Sequence, residues 1–163
     1  MKTIYFLIGK IGSGKSFWSQ QYVKANSNTR IISKDALREM YFGTYKYDPE
    51  FESYLDIIVI DLIEDLLNQG YGVIVDGCHL TKEHRRRILE QIRTDIVEEI
   101  KVIAVVTPNR EKDWHLNNRS QNLRTYTLEE WAHVYDIHFG VFEPFINLET
   151  EPYFDDVIYT KSF

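Results

Sequence analysis

The sequence predicts an α/β protein, a three-layer sandwich with a central parallel sheet of five strands and a small helical lid. Three observations carry this. Short apolar runs of strand type alternate with stretches of helical signature, the order that parallel strands joined by right-handed crossovers require. Three of those runs, Tyr5–Ile8, Val73–Val75 and Val102–Val106, are almost wholly apolar, as strands covered on both faces are. A glycine-rich turn, Gly9–Ser16, separates the first run from the first helical stretch.

The elements follow in order. Thr3–Ile8 reads as a strand, and Lys15–Ala25 as the helix after the glycine turn. Arg30–Ser33 is the second strand. Asp48-Pro49 then opens a long amphipathic helix in which Phe51, Leu55, Ile58, Leu62 and Leu66 recur at helical spacing, and Gly70 stops it. Tyr71–Asp76 is the third strand, Thr81 opens a helix to about Arg93, and Ile100–Val106 is the fourth strand. A polar segment at about 109–126 precedes Thr127 and Glu130, a capping box for a helix to about Phe139; Asp156–Thr160 closes the sheet. No repeat, low-complexity tract or linker interrupts the pattern, so one domain over 1–163 is expected, with its lid at about 109–126.

At 163 residues, 44% hydrophobic and 27% charged, the chain has the composition of a globular domain and not of a disordered one. A net charge of −6 excludes a coat protein that grips many phosphates without regard to sequence, and a membrane-surface protein. It leaves room for a local basic cleft. Cys78 is the only cysteine, so no internal disulfide and no cysteine metal cluster is possible, which fits a reducing cytoplasm. The apolar run Ile4–Ile8 is too short for a membrane span or a signal peptide, and no other segment suits a bilayer.

Chemistry enters at Gly9-Lys10-Ile11-Gly12-Ser13-Gly14-Lys15-Ser16, a full GxxxxGK[ST] match between a strand and a helix. Such a loop wraps backbone N–H groups around phosphates, and Gly12 and Gly14 permit the close approach. The following helix adds its positive end. Gly9, Gly12, Ser13, Gly14, Lys15 and Ser16 are therefore the candidates for binding a nucleoside triphosphate, with Lys15 on the β- and γ-phosphates and the Ser16 hydroxyl on Mg²⁺. ATP is the expected donor, since nothing in the sequence reads a guanine. The sandwich is accordingly of the P-loop NTPase type, and its ligands belong at the carboxyl ends of the strands.

Two of those ends are informative. Asp35 follows the second strand, and Arg38 comes at i+3, on the same face if a helix begins there. Asp35 is a candidate general base for an attacking hydroxyl and Arg38 a clamp for an anionic acceptor; equally, Asp35 would serve as a helix N-cap and Arg38 as its ion-pair partner. Asp76 ends the third strand in the Walker B manner, a candidate Mg²⁺ ligand, although many strands end in aspartate. His79 and Thr81 stand beside it, and His79 is assigned no role. Of Arg85-Arg86-Arg87, one is expected to pair internally, one or two to be solvated, and one to be able to turn towards an acceptor phosphate. Arg110, Lys112, Arg119 and Arg124 make the 109–124 segment basic, either as a lid over the phosphates or as a solvated loop. Tyr41, Phe42, Tyr45 and Tyr47 either join the core or stack an acceptor base.

In this order the motifs IYFLIGKIGSGKSFWSQQYV, IISKDALREM, VIVDGCHLTKEHRRRIL, Arg119–Arg124 and FEPFINLETEPYFDDVIY resemble the kinase domain of bacteriophage-type polynucleotide 5′-kinases, within the P-loop kinase superfamily. Ile11, Asp76-Gly77-Cys78-His79 and Tyr126-Thr127 depart from that pattern, and no attached phosphatase or ligase domain is expected. The resemblance implies that Asp35 is the general base on a 5′-hydroxyl and that Arg38 binds the neighbouring phosphate. Lys15 and Ser16 would serve the donor phosphates and Mg²⁺, and Arg124, or else Arg119, would be the lid arginine over the transferred group. The expected activity is transfer of the γ-phosphate of ATP to the 5′-hydroxyl of a DNA or RNA end, in nucleic-acid end repair. Three alternatives stand beside it. One is a small-molecule kinase acting on a nucleoside, nucleotide or sugar acid, another a kinase of modified bases in DNA or a kinase-like toxin, and the third a non-catalytic nucleotide-binding module.

Overall fold

In β1 (Lys2–Ile8) the side chains of Ile4, Phe6 and Ile8 turn to one face and those of Tyr5 and Leu7 to the other, the two-residue period of an extended chain. The same split recurs in β3 (Gly72–Asp76), where Val73 and Val75 oppose Ile74, and in β4 (Ile100–Val106), where Val102 and Ala104 oppose Ile103 and Val105. These strands therefore need cover on both faces. The computed structural model, which describes residues 2–44, 46–95, 99–119 and 126–161, provides it.

With β2 (Thr29–Ser33) and β5 (Asp156–Tyr159) they form one parallel sheet in the order β2-β3-β1-β4-β5. β1 lies at the centre, with Ile4 in register with Val73 on one side and Val102 on the other. The helix α1 (Lys15–Ala25) covers one face with Trp18, Tyr22 and Val23. On the other, α3 (Pro49–Asn68) buries Leu55, Val59, Ile63 and Leu67 at helical spacing, and α4 (Lys82–Asp95) buries Ile88, Leu89 and Ile92. Each such side chain contributes roughly 1.5–3 kcal/mol, so this layer anchors the walls of the cleft described below.

The caps foreseen in the sequence are formed. Asp48 accepts from the Glu50 N–H at 3.0 Å with Pro49 in the first turn of α3. Thr127 and Glu130 exchange bonds of 3.2 and 2.7 Å at the start of α6 (Leu128–Val141). One helix goes beyond the expectation and one falls within the segment expected to be a helical lid. α2 (Lys34–Phe42) is a full helix; Ser33 caps it, accepting from the Ala36 N–H at 3.3 Å, and Gly43 ends it at φ 70°. The alternative that made Asp35 the cap is thereby corrected, because Asp35 lies inside the first turn. α5 (Lys112–Arg119) occupies the first half of the segment expected to be a lid. Among the described residues there are six helices, and none is long and apolar enough to cross a membrane.

Candidate active site

The phosphate loop runs from Gly9 into α1. Its conformation is set from below. Gly9 abuts Thr107, and a Cβ there would lie 1.9 Å from Thr107 Oγ1. Ser13 Oγ and Thr107 Oγ1 share a 2.6 Å bond, and the Gly9 N–H donates to the Cys78 carbonyl at 3.1 Å. Gly12 and Gly14 have φ of 64° and 92°, left-handed values that only glycine adopts without strain. Lys15 Nζ lies within the loop, donating to the Lys10 carbonyl at 2.6 Å.

α5 and α6 brace the loop from the side. The Nδ1 of fully buried His115 donates to the Ile11 carbonyl at 2.8 Å, its Nε2 accepts from the Arg110 N–H at 3.1 Å, and Asn118 donates to the Gly12 carbonyl at 2.9 Å. Burial lowers the His115 pKa, so the ring serves as a neutral strut. The Lys10 ammonium sits among three rings, 4.7 to 5.3 Å from the centroids of Phe139, Tyr135 and Phe142, a desolvated cation–π box worth up to about 2 kcal/mol. Burial depresses the Lys10 pKa too. Ile11 packs with Trp131 and Tyr135 of α6.

This bracing makes a sharp expectation for Gly12→Ala. Its methyl would meet the His115 carbonyl oxygen at 2.1 Å, on a backbone at positive φ. Forcing that conformation costs about 1–3 kcal/mol before the clash, so nucleotide affinity should fall at least about tenfold. Titration with a fluorescent ATP analogue reads this directly; unchanged affinity would mean the loop reshapes freely.

At the loop's far end Ser16 Oγ donates to Asp76 Oδ2 at 2.8 Å. A hydroxyl and a carboxylate side by side are hard oxygen donors of the kind Mg²⁺ takes, one or two from protein and the rest from phosphates and water. Among the described residues no group of three or more His, Cys, Asp or Glu side chains could hold a metal ion.

Both residues line a cleft of about 730 Å³ at the carboxyl ends of the strands, and Lys15, Asp35 and Arg38 line it too. Its second wall is a chain of alternating charges. Arg38 donates to Asp35 Oδ1 at 2.6 Å and to Glu52 Oε1 at 2.7 Å; Lys34 joins Glu52 at 2.8 Å to Asp56 at 2.7 Å; Arg87 and His84 both reach Asp56 Oδ2, at 2.9 and 3.4 Å. Burial would raise the Asp56 pKa, but bonds from His84 and Lys34 and the charge of Lys34 outweigh it and hold the carboxyl well below its usual range. Glu52 behaves likewise, its burial outweighed by Arg38 and Lys34. Burial works against the charge of Arg38, yet Glu52 and Asp35 raise its pKa. A depression of about 860 Å³ near Thr29 and Gly72 opens at the opposite end of the sheet, away from the phosphate loop.

Of the candidate residues, Gly12, Ser13, Gly14, Lys15, Ser16, Asp35, Arg38 and Asp76 thus meet in one cleft, with Gly9 at its base. Arg124 and Tyr45 lie outside the described residues, and of Arg119 only the backbone at the end of α5 is described. Lys112 pairs with Asp136 at 2.6 Å on the surface. The arginine run divides as expected. Arg85 is fully buried, Arg86 pairs with Glu83 and Glu90 in solvent, and Arg87 enters the cleft wall. Tyr41 and Tyr47 are exposed, while Phe42 stacks on Phe51 at 4.2 Å, so only part of that aromatic group joins the core. Sequence reasoning missed Lys34, Glu52, Asp56, His115 and Asn118. Lys34 and Glu52 stand at the openings of α2 and α3, a position that signals a strand-end cleft; nothing local marks His115 or Asn118.

Comparison with known proteins gives a consistent picture. Residues 4–136 match a family described as an AAA domain. A fungal RNA kinase superposes with a TM-score of 0.69 at 19% identity, covering 98% of this chain and 74% of that one. A sugar kinase from a Janibacter species gives 0.63 at 12%, with 98% and 86% covered, and a gluconokinase from Sinorhizobium meliloti 0.59 at 13%, with 97% and 82%. At these identities the likeness is one of fold, and the substrate has to be argued from the site. With most of its length inside the family match and the phosphate loop near the start of it, the chain belongs to the AAA domain family and has the P-loop kinase fold.

Proposed function

We propose that this chain transfers the γ-phosphoryl group of ATP to the 5′-hydroxyl of a DNA or RNA end. The observation that carries this is Asp35 and Arg38 on one face of α2, in the same cleft as Lys15, Ser16 and Asp76, with Arg38 oriented by Glu52. Asp35 takes the proton of the acceptor hydroxyl as that oxygen bonds the γ-phosphorus and the bond from phosphorus to the β,γ-bridging oxygen breaks, releasing ADP. Arg38 holds the phosphate next to the terminal nucleoside. Lys15 and the amides of Gly12, Ser13 and Gly14 hold the donor phosphates, with Gly9 shaping the base of the loop against Thr107. Ser16 and Asp76 would hold Mg²⁺, which when bound neutralises charge between the β- and γ-phosphates. Arg124, or else Arg119, is the proposed lid arginine over the transferred group.

Three cationic side chains in the acceptor wall, Lys34, Arg38 and Arg87, support an anionic acceptor. Glu52 and Asp56 among them favour a second reading, a small acceptor with little charge. Labelled ATP with Mg²⁺, offered a 5′-hydroxyl oligonucleotide or a panel of nucleosides, nucleotides and sugar acids, decides. Label is expected on the oligonucleotide, with an acceptor KM that rises steeply with salt. Label confined to small molecules, or placed on bases within DNA, would replace this reading by the corresponding alternative.

A further inference from the structure

His79 lines the acceptor side of the cleft, yet no step above uses it. Its side chain is held on every side. Nδ1 lies 2.6 Å from the Leu7 carbonyl oxygen, which can only accept, so Nδ1 carries the ring proton and Nε2 keeps a lone pair. The ring rests on Phe6 with centroids 3.8 Å apart, and the backbone sits at φ 48°, a left-handed value costly for a side chain of this size. Arg85 clamps the same turn, donating to the His79 carbonyl at 2.8 Å and to that of Leu80 at 3.3 Å.

Only 5% of His79 is exposed, and among the described residues nothing donates to Nε2. Burial first, then the charge of His84, hold its pKa well below the ordinary histidine range, so the ring stays neutral. A neutral imidazole held this rigidly presents an acceptor lone pair to the cleft, and a ligand that displaces water from it without donating in its place is disfavoured. Its neighbours belong to the acceptor wall. The His84 ring stacks 5.8 Å away, and Asp56 bonds His84 in turn.

We propose that His79 is an acceptor-binding residue whose Nε2 accepts a hydrogen bond from an O–H or N–H of the acceptor other than the hydroxyl that is phosphorylated. The enzyme then selects acceptors that carry this second donor. The inference rests on the kinase reading for the existence of an acceptor. On a nucleic-acid end the donor is the ribose 2′-hydroxyl or an amino group of the terminal base.

The test compares kcat/KM for oligonucleotide pairs that differ by one donor at the terminal nucleotide: ribose against deoxyribose, guanine against hypoxanthine, adenine against purine. Wild type is expected to lose on the order of tenfold for one pair. His79→Asn and His79→Gly, both tolerant of the left-handed backbone, should lose as much on the better substrate and stop distinguishing that pair, with the KM for ATP unchanged. Variants that still discriminate, or a wild type that distinguishes no pair, overturn the proposal. If every oligonucleotide is inert, the 5′-hydroxyl reading falls on its own. The same comparison then moves to the small acceptor that is phosphorylated, with each hydroxyl replaced in turn by hydrogen. Nitrogen-15 spectra of the imidazoles give a readout independent of turnover. The pyridine-like Nε2 resonance of His79 should shift when acceptor is added, and a resonance that stays in place at saturation overturns the assignment.

Discussion

Asp35→Ala is expected to lower kcat by about 10²–10⁴-fold, the usual contribution of a positioned general base, while nucleotide binding stays intact. The geometry separates the two effects. Asp35 sits on α2 with half of its side chain in solvent and bonds Arg38, whereas the phosphate loop is braced by Thr107, His115 and Asn118 from other elements. Removing the carboxylate leaves Arg38 anchored to Glu52 at 2.7 Å, so the acceptor clamp persists. Single-turnover rates and ATP affinity measured on one preparation provide the check. Loss of ATP binding alone, with the rate at saturation preserved, would remove Asp35 from the chemistry and leave it as the ion-pair partner that the sequence equally allowed.

The largest effect on stability is expected at Arg85. All five of its N–H donors are used inside the protein: two on Glu151 at 2.7 and 2.9 Å, and the others on the carbonyls of His79, Leu80 and Glu143. Neither Arg85 nor Glu151 has any exposed side-chain surface. Arg85→Ala would strand a buried carboxylate, at a cost of about 3–5 kcal/mol, a large fraction of a typical domain's stability. Thermal melting should fall by roughly 10 °C or more in a chain of this size. Arg85→Lys should recover little, because a point charge cannot make the fork. Arg85→Met combined with Glu151→Leu should recover much of the loss by removing both charges, the stranded carbonyls accounting for the rest. A single Arg85→Ala variant that melts with wild type would show that water reaches Glu151.

What the sequence made legible was what repeats locally. The apolar runs that need cover on both faces and the caps Asp48 and Thr127 each depend on a handful of neighbouring residues, and all are formed; the helix from Pro49 is formed too, but its buried stripe is Leu55, Val59, Ile63 and Leu67, with Ile58, Leu62 and Leu66 packed at its edge. The i+3 relation of Asp35 and Arg38 held for the same reason, once α2 proved to be a helix. Long-range interactions were hidden. His115 lies on a helix polar on most sides, and it acts by bonding the backbone of a loop about a hundred positions earlier, so no periodicity marks it. Lys34 and Asp56 meet only because α2 and α3 fold together. Arg85 was within reach. It shares a helical stripe with Leu89 and Ile92, all three fully buried, and that stripe singles it out from Arg86 and Arg87.

The central position of β1 has a consequence for how the chain is made. β1 leaves a ribosome before every strand it pairs with, for its partners are residues 73–75 on one edge and 100–106 on the other. At ~5–20 residues per second, the second edge of β1 waits roughly 5–20 s for its partner to emerge. During that interval an apolar strand with both edges unpaired precedes a phosphate loop that has nothing to rest on. The phosphate loop can therefore take its final shape only after the chain following β4 delivers Thr107 beneath Gly9.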